Sequence, residues 1–214
     1  QHDPKNLFFN KIPVSFVKDA DCPMIKKFLS EILDRDDIPI IQEWFGYALY
    51  RSYFIKKAII FVGEGDTGKT TLLKLAERFI GKDNVSGVSL QKITSDKFAA
   101  AHFYNKHINT CDDLSFKDIS DNGVFKIATG GGSITGEYKF GEQFQFENYA
   151  KLTFACNKIP DVKDSSDAAY FGRWMVIHFR KEVTNPDKFL IDKITTVEEL
   201  SGLFNFALEG LNRL

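Results

Sequence analysis

Three separated stretches carry residue types that can do chemistry together. Gly63-Glu64-Gly65-Asp66-Thr67-Gly68-Lys69-Thr70, followed by Thr71, matches GxxxxGK(S/T). Glycines there let backbone N–H groups close round a phosphate without Cβ clashes. Lys69 reaches the β- and γ-phosphates, and Thr70 offers a hydroxyl to Mg²⁺. A loop of this kind needs acid on a neighbouring strand. Asp112 and Asp113, just past "HINTC", supply two carboxylates. One would hold the metal through water and the other would polarise the attacking water. The plain alternative is a solvated turn that carries two Asp. Asn157 follows the apolar run "KLTFAC". Its amide can donate and accept at once, which suits a group touching the γ-phosphate or its water, and equally suits a cap after a strand.

These side chains need elements to hold them. "AIIFV" (58–62) reads as a buried strand, and a helix from Thr70 to Ile80 aims its positive end at the same anion. Before them, Pro23 suits a first helical position, and Met24, Ile25, Phe28, Leu29 and Ile32 keep a 3.6-residue period. A second helix is expected from about 40 to 53 with Trp44, Phe45, Ala48 and Leu49 inward. These two helices are expected to form a small N-terminal pack. "SDKFAAAHF" reads as a helix from about Ser95, "HINTC" (107–111) as a strand, and 119–128 as a helix stopped by Gly130-Gly131-Gly132. "SITGEYKFGEQFQFE" alternates on both sides of Lys139-Phe140-Gly141 and predicts a hairpin. "KLTFAC" (151–156) and "WMVIHF" (174–179) are further strands, and 197–211 a closing helix. Strands alternating with helices predict an α/β fold with a mostly parallel central sheet. The expected organisation is an N-terminal helical region (1–55), a core (56–182) and a C-terminal helical segment (183–214).

Composition limits the partners. The chain has 214 residues, with 28 basic against 29 acidic and a net charge of −1. No global positive field draws in nucleic acid, so DNA binding would rest on a few placed lysines. Three scattered cysteines read as reduced thiols of a cytosolic compartment, and no apolar run is long enough for a membrane span. The start at Gln1, without Met or a signal pattern, reads as a fragment of something longer. The four histidines form no metal-ligand pattern and read as structural. "NKIPD" is one residue too long for the guanine-reading NKxD, and no DxxG follows the loop, which argues against a GTPase. The arginines do not cluster as the lid of a small-molecule kinase would require.

The order of these parts resembles the superfamily-three helicases of viruses and plasmids, in the AAA+ class of P-loop NTPases, and most closely the phage/plasmid primase-helicase branch. "GEGDTGKTTLL" resembles Walker A, "NTCDDLS" Walker B, and "FACNKIP" motif C. "FKIATGGGSITGEYKFGEQFQFENYAKL" resembles the segment between Walker B and motif C, and "DSSDAAYFGRWMVIHF" the arginine-finger segment. "DCPMIKKFLSEIL" and "IQEWFGYAL" are similar to the helical region before the loop in that branch.

The resemblance implies ATP and Mg²⁺ as the ligands of 63–71, with Thr70, Asp112 and Asp113 at the metal and Asp113 as the indispensable acid. It implies Asn157 as the polar sensor and Arg173 as a finger reaching a neighbour's γ-phosphate. Arg180 is the competing finger, and a surface pair with Asp167 or Asp164 is the plain reading of Arg173. It further implies that Lys139 and Phe140 at the hairpin tip grip single-stranded DNA in the pore of a ring of six copies, where an ordinary solvated turn is the alternative. Lys126 would face the nucleotide or the pore. The family often places Glu where this chain has Asp112-Asp113, which leaves open which Asp is the base. The implied activity is an ATP-dependent helicase or translocase of virus or plasmid replication in the host cytoplasm, alongside a primase domain or other replication proteins. An ATP-binding assembly module without unwinding, or a phosphotransferase, are the alternatives.

Overall fold

The computed structural model describes residues 10–112, 114, 122–159 and 167–214. Asp113, Asp164 and the start of the helix expected from 119 lie outside them.

A five-stranded sheet forms the centre. Its strands are β1 (Ala58–Val62), β2 (Val85–Ser86), β3 (Ile108–Cys111), β6 (Lys151–Cys156) and β7 (Trp174–His178), with β4 (Ser133–Glu137) and β5 (Gln143–Glu147) pairing apart as an antiparallel hairpin. The sheet order is β2-β3-β6-β1-β7, and every neighbouring pair is parallel. β1 is apolar at every position because both its faces are covered. Ile59 and Phe61 point to one layer, Ala58 and Ile60 to the other.

The first layer holds α1 (Pro23–Ile32), α2 (Asp37–Leu49), α3 (Lys69–Ile80), α7 (Leu190–Ile194) and α8 (Val197–Leu211). Its core includes Leu29, Phe45, Phe79 and Leu203. The second layer holds α4 (Leu90–Ser95), a 3₁₀ turn (Ala99–Phe103), α5 (Gly123–Ala128), α6 (Ala168–Phe171) and the hairpin, closed around Phe103, Phe125, Phe146 and Phe154.

Several expectations change. α2 starts at Asp37 and ends at Leu49, earlier than expected at both ends. It lies along α8 and not in a separate N-terminal pack: Gln42 Nε2 donates to the Phe206 carbonyl at 2.9 Å and Glu209 Oε2 at 3.1 Å. Glu199 of α8 accepts from the amides of Met24 and Ile25 at 3.2 and 3.0 Å, filling orphan donors at the start of α1. No helix starts at Ser95. α4 ends there, and Asp96 turns the chain by accepting from the Phe98 amide at 2.9 Å before a 3₁₀ turn begins. The short elements α4, α6, α7 and β2 are too brief to leave a periodic signal. No helix among the described residues is long and apolar enough to cross a membrane.

Candidate functional site

The parallel register gathers the candidate residues. β1, β3 and β6 all end on one edge of the sheet: Ile60 is level with Phe154, and Cys111 with Phe154 from the other side. Gly63, Asp112 and Asn157 therefore follow three adjacent strands. This is the edge where open parallel sheets bind ligands.

The loop 63–70 joins β1 to α3. Gly68 has φ +88°, and a Cβ there would meet Ile32 Cγ2 at 2.7 Å; at Gly63 it would meet the Phe179 carbonyl at 2.3 Å. Neither position accepts a side chain. Asp66 also sits in the left-handed region, at φ 57°, which Asp tolerates better than most residues. Among the described residues no acceptor takes the amides of Gly65, Asp66 or Gly68, so three backbone donors remain for a ligand beside the N-terminus of a 12-residue helix. The Lys69 ammonium donates to the carbonyls of Gly63 (2.7 Å) and Glu64 (2.6 Å) and to Thr67 Oγ1 (3.1 Å). Desolvation lowers its pKa from the usual lysine value.

A cleft of about 270 Å³ lies over the loop. Gly65 to Thr71, Asp112 and Asn157 line it, so most of the expected site converges there. Gly63 and Glu64 line an adjoining depression with Gly65, Thr67, Asn157 and Arg180. The other wall was missed in the sequence: Phe28, Glu31 and Ile32 of α1, and Val183, Pro186, Asp187 and Leu190 before and within α7. The α1 stripe reads as core by period, and nothing in its spacing tells that one end of it overlooks the loop. The donor set of amides, ammonium, hydroxyl and carboxylate suits a phosphate chain with a hard divalent cation.

Arg173 and Arg180 part company. Arg180 follows β7 on the loop's own edge and pairs with Asp34. Arg173 precedes β7 at the opposite edge, where its carbonyl accepts from the Ala58 amide at 2.7 Å. Five strand residues separate it from the loop's edge, on the order of 16 Å at the usual rise. Its guanidinium donates to Thr129 Oγ1 at 3.1 Å, whereas Asp167 is taken by Lys126 at 2.9 Å and Asn122 at 2.8 Å. Those bonds, with the Tyr170 amide, pull the Asp167 pKa down to about 2, the Lys126 bond contributing most. Lys126 is therefore an ion-pair partner on α5 and is brought neither to the cleft nor to the hairpin tip.

The hairpin tip carries Lys139 and Phe140. Phe140 is 98% exposed and has φ 64°, and the Lys139 ammonium stands 5.3 Å from its ring centre. Beneath the tip, Tyr138 stacks on Phe144 at 5.5 Å and donates to the Ala101 carbonyl at 3.1 Å, which anchors the hairpin to the body.

Comparison with known proteins adds a family and a fold. The model of a family of unknown function, DUF5906, matches residues 61–173, from within β1 to Arg173. No curated protein matches the chain. Solved apo structures of the C-terminal region of NrS-1 share the fold. One, in its A form, superposes with a TM-score of 0.69 at 20% identity over 90% of this chain and 47% of its own. Another, of residues 305–718, gives 0.69 at 18% over 94% and 50%. The chain thus spans about half the length of the NrS-1 regions it matches.

Proposed function

The chain belongs to the DUF5906 family, whose function is unknown, and from its cleft and hairpin we propose that it is an ATP-driven motor on single-stranded DNA. In this reading it is a P-loop ATPase of the AAA+, superfamily-three type, acting as a ring in virus or plasmid replication. One observation carries the reading. A glycine-rich loop whose amides find no acceptor among the described residues shares a cleft with Asp112 and Asn157, while a bare aromatic and a lysine project from a hairpin elsewhere on the chain.

ATP is the substrate. Loop amides and Lys69 take its phosphates and spread their negative charge. Thr70 and Asp112, with Asp113 next to Asp112 in sequence, would hold Mg²⁺, which neutralises charge on the phosphates when bound. A carboxylate of the Asp112-Asp113 pair takes the proton of the attacking water, and the Asn157 amide orients that water. Arg173 lies at the sheet edge opposite its own cleft, so it would serve an adjoining protomer; such a residue is worth about 10³–10⁵ in rate. At the hairpin, the Lys139 ammonium pairs with a DNA phosphate and Phe140 offers a face to base or sugar. Convergence of several tips in one pore supplies the local positive field that a net charge of −1 does not.

ATP turnover is to be measured on assembled protein with and without single-stranded DNA. DNA should stimulate turnover, and Lys139→Ala should bring the ratio of stimulated to basal rate toward one. Rings made only of Lys69→Ala subunits or only of Arg173→Ala subunits should each keep only a small residual turnover, and the two kinds of subunit should partly rescue one another in mixed rings. Absence of rescue in demonstrably mixed rings sinks the action across subunits. Turnover indifferent to DNA makes the chain a nucleotide-gated assembly module instead, and turnover that needs a small acceptor makes it a phosphotransferase.

A further inference from the structure

Arg173 does not stand free at the start of β7. Its Nη1 donates to Oγ1 of Thr129, a fully buried residue that ends α5. A hydroxyl has one proton, and Thr129 gives it to the Phe125 carbonyl at 2.8 Å. A guanidinium has no acceptor, so the bond runs only from Arg173 to the Thr129 oxygen. Two more ties fasten the same helix to the same segment. Asp167 joins Lys126 of α5 and Asn122, which precedes that helix, to the Tyr170 amide of α6. The Phe125 ring lies on Trp174, centroids 4.7 Å apart and 19° from coplanar. From Thr129 the chain runs through Gly130-Gly131-Gly132 straight into β4, the first strand of the hairpin.

We propose that Thr129 is a positioning residue: its hydroxyl sets the Arg173 guanidinium for an adjoining protomer's phosphate and ties it to the root of the DNA hairpin. The proposal rests on the reading of Arg173 and the hairpin given above, and adds the link between them. The chemistry suits it. A neutral hydroxyl orients one N–H and, among the described residues, no carboxylate matches the charge, so the remaining donors stay available to a phosphate. A carboxylate in its place would hold the charge at home, as Asp167 holds Lys126. The triple glycine then serves as the hinge on which a displacement at Arg173 reaches Lys139 and Phe140.

Thr129→Val keeps the shape and the β-branch and removes the acceptor. In assembled protein, KM for ATP should hold, kcat should fall about tenfold from misplacement of the guanidinium, and stimulation by single-stranded DNA should be lost. Thr129→Ser should restore both. In an Arg173→Ala background, Thr129→Val should change kcat by less than about twofold, since the hydroxyl acts through the guanidinium. Wild-type kcat and stimulation in folded Thr129→Val overturn the proposal, and so does a loss that adds to that of Arg173→Ala. Thr129→Ala supplies the same cycle if the valine variant does not fold. Arg173→Ala with unaltered turnover sinks the finger reading itself, a result separable from either outcome at Thr129.

Discussion

Phe140 is the residue least explained by folding. A bulky side chain in the left-handed region costs about 1–2 kcal/mol, and this one gains nothing from burial, being 98% exposed. The turn is closed by the Gly141 amide on the Tyr138 carbonyl at 2.8 Å, a position where Gly or Asn sits without strain. Phe140→Asn should therefore leave the melting temperature unchanged or raise it. It should also weaken single-stranded DNA binding about fivefold or more, since a base-stacking aromatic is worth ~1–3 kcal/mol. Calorimetry and fluorescence anisotropy read the two sides. A lowered melting temperature with unchanged DNA affinity would make Phe140 a structural residue. "YKFG" announced a turn in the sequence, but not that the phenylalanine would be the one in the left-handed position.

At the scale of elements, the crossing of α2 and α8 sets how the N- and C-terminal parts close on the sheet. Gly46 lets the two backbones touch: a Cβ there would stand 2.2 Å from the Ala207 carbonyl oxygen and 2.6 Å from the Leu211 amide. Gly46→Ala should force the helices apart and cost about 1–3 kcal/mol, seen as a fall in melting temperature of about 2–4 °C per kcal/mol. An unchanged melting temperature would mean the crossing gives way freely. The bounds of α8 were legible from its period, because one stripe stays apolar over 15 residues. Its partner was not, since period marks a buried face and not what covers it.

For the whole molecule, Lys151 joins the start of β6 to the 50–57 connection at the sheet edge opposite the cleft. It is buried, with Nζ donating to the carbonyls of Tyr50 and Tyr149 and lying 4.4 Å from the centre of the Tyr47 ring. Desolvation lowers its pKa to about 7. Between that value and its ordinary one near 10.5, the unfolded chain holds a proton that the folded chain does not. Stability therefore rises with pH across that window, by at most about 1.4 kcal/mol per unit, and is flat below it. Denaturant titrations of wild type and Lys151→Met from pH 6 to 10 should diverge above about pH 7 in favour of wild type. Parallel curves throughout would show a lysine that keeps its charge when folded.

The sequence by itself determined the parts: a glycine-rich loop between a strand and a helix, the carboxylate and amide after later strands, the hairpin, and an α/β sheet. Each of these is local, set by side-chain period, by glycine where the backbone approaches closely, and by the spacing of a few polar groups. Tertiary structure decided which parts meet. Parallel register put Gly65, Asp112 and Asn157 on one cleft and sent Arg173 to the far edge beside Thr129. It also gave the cleft its second wall, from α1 and the approach to α7. Those contacts depend on strand order and helix crossing, which are fixed by burial across the entire core and leave no mark in any short window of residues.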